Sequence, residues 1–262
     1  METRTITLDG HDVPVSYTDT GAGGVVLLLH GGGGPMTVAG FGDHYATERQ
    51  ARVLVPRHPG VDGTTRPDQI PTIRDLARLY TALLAELELN DVTVVGNSIG
   101  GWIAAEIAVL ADPRVSRVVL VDAVGLVLPE APIVNFFGLT MNQVFDLSYA
   151  DPDAFRMDPT ALPAQQQAVM AANRETLRVY GGTSMADPTL LDRLPQAKAN
   201  ALVVWGAADR IVPPAHGHAY TDALPHARFE LIENAGHLPQ LETPVTLADL
   251  VAAFVTQGSA ER

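Results

Sequence analysis

Gly96-Asn97-Ser98-Ile99-Gly100 is the segment of this 262-residue chain with the most chemistry in its spacing. A serine at a sharp strand-to-helix turn is held in strained backbone, tolerable where its neighbours lack Cβ atoms. Gly96 and Gly100 supply that room, and the turn presents Ser98 Oγ at the carboxyl edge of a sheet. A serine hydroxyl at neutral pH needs a base, and the base needs an orienting acid. Eight histidines compete for the first role. His237 follows the last predicted strand and should emerge at the same sheet edge as Ser98. His216 and His218 are spaced i,i+2 on a predicted helix, so they face apart and do not make a metal pair. His11, His44 and His226 have polar neighbours and read as surface. His30 ends a buried strand and shapes the loop after it, while His58 sits in a Pro/Gly-rich loop where a structural role is favoured. For the acid, Asp209 follows a strand next in order to the histidine loop. Asp122, at the end of the strand after the Ser98 helix, is the alternative.

An oxyanion formed by attack of Ser98 needs two preorganised N–H donors, each worth ~2.7–4 kcal/mol of transition-state stabilisation. One is expected from Ile99, at the start of the helix. The other is expected from His30-Gly31-Gly32-Gly33-Gly34-Pro35, where missing side chains let backbone approach a substrate. A phosphate cradle would be the competing use of such a loop. No Lys or Ser/Thr follows in P-loop spacing, and no G-x-G-x-x-G opens a helix.

These groups must be carried by a sheet. Residues 3–9 and 13–19 alternate with the two-residue period of half-buried strands, and Asp9-Gly10 between them signals a hairpin. Residues 25–29, 92–95, 115–121 and 201–205 are instead continuous apolar runs, as expected of parallel strands covered on both faces. Residues 52–55 and 228–232 complete the set. Residues 72–89 carry a helical stripe, residues 99–111 are apolar nearly all round, and residues 214–224 and 245–255 read as further helices. This rhythm predicts an α/β fold with right-handed crossovers and a mostly parallel sheet. The rhythm breaks over residues 125–195, where Val134, Phe136, Phe137, Leu139, Met141, Phe145, Phe155 and Met157 suit short amphipathic helices. The expected organisation is a core of residues 1–124 and 196–262 with a helical insertion at 125–195.

Composition narrows the partners. Seventeen Lys and Arg against thirty Asp and Glu give a formal charge of −13, which argues against nucleic acid or an anionic membrane as partner. Cysteine is absent, which removes disulfides, thiolate catalysis and Cys-ligated zinc together. No metal or cofactor is expected, and the partner expected is a small-molecule substrate. Met1 to Arg4 leads into alternating residues rather than an apolar signal segment, so a cytoplasmic location is expected.

With these segments placed, the chain resembles the α/β-hydrolase superfamily over nearly its whole length. The resemblance rests on His30-Gly31, Pro59-Gly60-x-x-Gly63, the Gly96 to Gly101 elbow, Gly206-x-x-Asp209 and Gly236-His237. It implies Ser98 as nucleophile, Asp209 as acid, His237 as base, and Gly32 with Ile99 as oxyanion donors. It also implies Gly33, Asn97 and Leu238 as substrate contacts, and residues 125–195 as a cap. A serine nucleophile sets the chain apart from the epoxide hydrolases and haloalkane dehalogenases of this fold, which use aspartate. The elbow also differs from the G-F-S-M-G type of cofactor-free haloperoxidases. Carbon–carbon bond hydrolases of ring-cleavage products resemble it more closely, sharing the glycine-rich loop with proline and Asn97 before the serine. They usually carry tryptophan where Leu238 stands, and for their cap arginine only Arg174 and Arg178 are candidates. The resulting expectation is a serine hydrolase cleaving esters of a small-to-medium apolar or aromatic substrate. A carbon–carbon bond hydrolase with the same triad, and a non-catalytic ligand-binding protein on the same scaffold, are the alternatives.

Overall fold

Alternation builds the first hairpin: β1 (Glu2–Leu8) and β2 (His11–Gly21) pair antiparallel in the computed structural model, which describes residues 1–260. Asp9 and Gly10 both have positive φ, 50° and 81°, as a two-residue hairpin turn requires. β3 (Gly24–Leu29), α1 (Met36–Glu48) and β4 (Ala51–Pro56) follow. Then come α2 (Ile73–Glu86), β5 (Val92–Asn97), α3 (Ile99–Leu110) and β6 (Val115–Val121). The chain next leaves the sheet for a 3₁₀ turn at Phe136–Gly138, α4 (Met141–Ser148), α5 (Pro152–Phe155), α6 (Ala164–Gly181) and α7 (Leu190–Arg193). It returns through β7 (Asn200–Gly206), α8 (Ala215–Ala223), β8 (Ala227–Ile232), α9 (Pro239–Glu242) and α10 (Pro244–Ala260).

The eight strands form one sheet in the order β1-β2-β4-β3-β5-β6-β7-β8. Pairing is antiparallel up to β4 and parallel from β4 to β8. The period of two explains why the central strands read as unbroken apolar runs. Leu27, Leu29, Val94, Val118, Leu120, Val203 and Trp205 enter a core with residues of α2 and α3. Their neighbours Val26, Leu28, Val95, Val119, Val121, Leu202 and Val204 enter a second core with residues of α1 and α10. Each strand thus buries both faces. The helix α3 is buried at every position from Ile99 to Ala108, which accounts for its lack of a polar face.

Two helices depart from the sequence expectation. The sequence reading places no helix at α1, although its buried residues Val38, Phe41, Gly42, Tyr45 and Ala46 have helical spacing. The preceding glycines drew the segment toward a loop. Residues 125–195 carry short helices and also α6, whose buried residues are Asn173, Leu177, Tyr180 and Gly181. One apolar residue per turn leaves no stripe to read. Among the described residues no helix is long and apolar enough to cross a membrane.

Candidate active site

Ser98 stands at the turn from β5 into α3 with φ 57° and ψ −117°, a conformation that few residues with a Cβ adopt. The neighbouring glycines are sterically required. A Cβ on Gly96 would lie 2.1 Å from the Gly100 carbonyl oxygen, and one on Gly100 would lie 2.3 Å from that of Leu29. Register holds the strained turn in place, with the Ser98 amide donating to Val121 O at 2.9 Å and Ser98 O accepting from Trp102 N at 3.1 Å.

The fold brings together three polar residues distant in the chain. His237 Nε2 lies 2.9 Å from Ser98 Oγ, and His237 Nδ1 lies 2.8 Å from Asp209 Oδ2. A carboxylate only accepts, so the imidazole donates through Nδ1 and keeps a lone pair on Nε2 for the serine proton. Asp209 Oδ1 accepts from the amides of Ile211 and Val212 at 2.8 and 2.9 Å, which fixes the carboxylate plane. All three residues are buried. Gly31 packs beside the serine, where a Cβ would sit 3.2 Å from Ser98 Cβ. The Ile99 amide is at the first position of α3, where helix geometry supplies no intrahelical acceptor.

Comparison with known proteins follows this geometry. Residues 26–250 match the family model described as Alpha/beta hydrolase family. The chain belongs to that family. An uncharacterized protein of Mycobacterium tuberculosis is 25% identical over 281 residues, covering 94% of this chain and 79% of its own. The 2-hydroxy-6-oxo-6-(2'-aminophenyl)hexa-2,4-dienoic acid hydrolase of Metapseudomonas resinovorans is 25% identical over 260 residues, covering 94% and 88%. Among solved structures, a thermophilic esterase from Thermogutta terrifontis superposes with a TM-score of 0.79 at 23% identity, covering 98% of this chain and 99% of that one.

In this alpha/beta hydrolase, Asp122 does not take the orienting role that the sequence left open to it. It is fully buried and its Oδ1 accepts from the Gly206 amide at 2.9 Å, while Asp209 faces the imidazole. Burial, and then the negative charge of Asp209, push the Asp122 carboxyl well above the ordinary carboxylate range. The site therefore favours the protonated form of Asp122. Oxygens of Asp122 and Asp209 and a ring nitrogen of His237 lie within 4.8 Å of one another, but Asp209 Oδ2 and His237 Nδ1 already satisfy each other directly.

Asn97, expected as a substrate contact, has its side-chain polar atoms bonded within the protein. Its Nδ2 donates to His237 O at 2.9 Å and Val121 O at 3.3 Å, and its Oδ1 accepts from Gln240 Nε2 at 3.1 Å. The side chain anchors the histidine loop. Leu238 is half-buried at the start of α9, and Gly33 is exposed, with the Thr37 methyl 2.7 Å from where its Cβ would stand. Glu242 went unread in the sequence. Its two oxygens accept from the amides of Gly236 and Ala150, both at 2.7 Å, and so join the histidine loop to the insertion. Burial raises its pKa. The His237 amide donates to Ser148 O at 2.6 Å, a second tie to the insertion. No side-chain pattern could have signalled the bonds to Ala150 and Ser148, since these partners are backbone atoms remote in sequence.

The helix α6 packs against the glycine loop. Asn173 Oδ1 accepts from the Asp62 amide at 2.8 Å, Thr176 Oγ1 donates to Gly60 O at 2.9 Å, and Tyr180 OH donates to Pro59 O at 3.0 Å. These positions, with Leu177, share one helix face by i,i+3,i+4,i+7 spacing. Leu177 lies against the glycine loop, its Cδ2 2.5 Å from where a Cβ on Gly32 would be. The cavity left between α6, Gly31, Gly32 and Ile99 is about 10 Å³, room for about one water. No charged side chain lines it. Arg174 instead donates to the carbonyls of Phe136 and Leu139, and Arg178 is paired with Glu175 at 2.8 Å.

Proposed function

We propose that this hydrolase cleaves carboxylic esters of uncharged, small-to-medium apolar or aromatic substrates through an acyl-enzyme. The carrying observation is the unbroken relay from Asp209 Oδ2 to His237 to Ser98 Oγ, at 2.8 and 2.9 Å. Ser98 Oγ attacks the ester carbonyl carbon as its proton passes to His237 Nε2. Asp209 stabilises the imidazolium and holds the ring in its tautomer. The amides of Gly32 and Ile99 bind the oxyanion. Collapse expels the alkoxide, which takes the proton from His237 and leaves as the alcohol. Water then gives a proton to His237 and its oxygen to the acyl carbon, and Ser98 departs with that proton, releasing the acid. In this reading residues 125–195 are the cap, with α6 over the acyl site.

The name of the Metapseudomonas relative supports a second reading, carbon–carbon cleavage of a dienoic acid. Such a substrate carries a carboxylate, and the uncharged lining with Arg174 and Arg178 engaged elsewhere favours the ester. Parallel assays of short p-nitrophenyl esters and a ring-cleavage diketo acid test the choice. The ester reading expects turnover of the esters and loss of it in Ser98→Ala. Preferential turnover of the acid contradicts it. A wild-type protein that a fluorophosphonate fails to label at Ser98 contradicts catalysis altogether and favours ligand binding.

A further inference from the structure

Two histidines that the hydrolysis scheme does not use are stacked at the base of the glycine loop. His30 and His58 are 0% and 3% exposed, with ring centroids 3.8 Å apart. Their hydrogen bonds assign every ring nitrogen. His58 Nε2 lies 3.0 Å from the His30 carbonyl oxygen, which only accepts, so the His58 proton is on Nε2. His58 Nδ1 is then the acceptor, receiving the hydroxyl proton of Tyr80, on α2, at 2.6 Å. His30 Nδ1 lies 2.7 Å from the Gly31 carbonyl oxygen and must donate. His30 Nε2 accepts from the His58 amide at 3.3 Å. The Gly34 amide adds a second bond to the Gly31 carbonyl, at 3.1 Å.

In a trans peptide the N–H points opposite to the C=O. No cis peptide occurs among the described residues. Pinning the carbonyls of His30 and Gly31 therefore sets the direction of the N–H groups of Gly31 and Gly32. We propose that His58, backed by Tyr80, is a positioning residue for hydrolysis: its imidazole pins the His30 carbonyl and so the Gly31 peptide from which the Gly32 amide is aimed at the oxyanion, while its backbone amide sets the His30 tautomer. This rests on the reading of Ser98 as nucleophile and Gly32 as oxyanion donor. Burial keeps both rings neutral. It lowers the pKa of His30 to about 4, against the opposing bond to Gly31 and with a smaller push from Arg57. It lowers that of His58 well below the ordinary value, with His30 adding to the effect. The tautomers thus persist through the neutral range.

Nitrogen-15 NMR of the wild-type imidazoles tests the wiring without any substrate. The proposal expects the proton of His30 on Nδ1 and that of His58 on Nε2, and the opposite tautomer in either ring overturns it. Kinetics with p-nitrophenyl acetate test the consequence. A lost oxyanion donor costs ~10²–10³-fold in kcat, so His58→Leu is expected to lower kcat about 10²-fold and Tyr80→Phe about 10-fold, with KM within about twofold. His58→Gln, whose amide can donate to the His30 carbonyl, is expected to recover part of the loss. A role in packing alone would lower stability and leave kcat per folded molecule unchanged. Wild-type kcat in both Tyr80→Phe and His58→Leu overturns the proposal; if His58→Leu does not fold, Tyr80→Phe decides. A wild type that turns over no ester, yet shows the expected tautomers, contradicts the ester reading and leaves the histidine wiring standing.

Discussion

Two carboxyl groups lie near one imidazole in unlike surroundings. Asp209 accepts two amides and the His237 N–H, while Asp122 accepts a single amide in a fully buried site. Asp209→Asn should lower kcat about 10⁴-fold, because an amide there favours the wrong imidazole tautomer. Asp122→Asn, an isosteric exchange at a site that favours the neutral form, should change kcat less than about tenfold. Steady-state kinetics of the two variants separate the roles. Stability carries a second signature of Asp122. Its folded pKa is raised above the ordinary 3.8, so above that pH the unfolded chain has lost a proton that the folded one keeps. Stability from this group therefore falls as pH rises, by up to ~1.4 kcal/mol per unit until the folded pKa is reached. The advantage of Asp122→Asn over wild type, read by urea unfolding, should grow from pH 5 to pH 8. A constant or shrinking gap would mean that Asp122 is ionised in the fold.

Helices and strands differ in how much of their cause lies in local sequence. The strands β3, β5, β6 and β7 were legible because burial on both faces demands uninterrupted Val and Leu. The positions of Ser98, Asp209 and His237 followed, since the ends of parallel strands share one edge. The helix α6 was not legible, because Asn173, Thr176 and Tyr180 hold it through bonds to carbonyl and amide groups more than a hundred residues away. The anchoring role of Asn97 was illegible for the same reason: its side chain bonds to the backbone of His237, 140 residues on. A buried ion pair joins the far end of the insertion to α3. Glu106, 2% exposed, accepts two bonds from Arg193 at 2.5 and 2.7 Å, and Arg193 also pairs with Asp187 at 2.8 Å. Among the described residues, removing Arg193 leaves buried Glu106 only the longer pair with the exposed Arg74, at 3.9 Å. Arg193→Met should therefore cost about 3 kcal/mol in urea unfolding, where loss of an exposed pair such as Arg178–Glu175 should cost less than about 1 kcal/mol.

At the scale of the whole molecule, there is little room beneath α6. Pockets for small molecules usually enclose ~300–1,000 Å³, whereas the cavity beneath α6 holds about 10 Å³. On the proposed reading, in which substrate enters beneath α6, that helix is expected to separate from the loop at residues 58–62 during turnover. The chain has no cysteine, so a pair introduced as Asp62→Cys and Asn173→Cys, where the native side chains already bond at 2.9 Å, can be crosslinked without interference. Oxidation should abolish hydrolysis and reduction should restore it. Undiminished turnover in the crosslinked protein would mean that substrate reaches Ser98 by another route. The central claim is that the ester carbonyl becomes covalently attached to Ser98, and the most direct measurement is peptide mass spectrometry after acid quenching during turnover of p-nitrophenyl acetate. The account predicts an acetyl group on Ser98, absent from the same peptide of Ser98→Ala. Sustained release of p-nitrophenol with the acyl group on another residue, or with Ser98→Ala equally active, would contradict it.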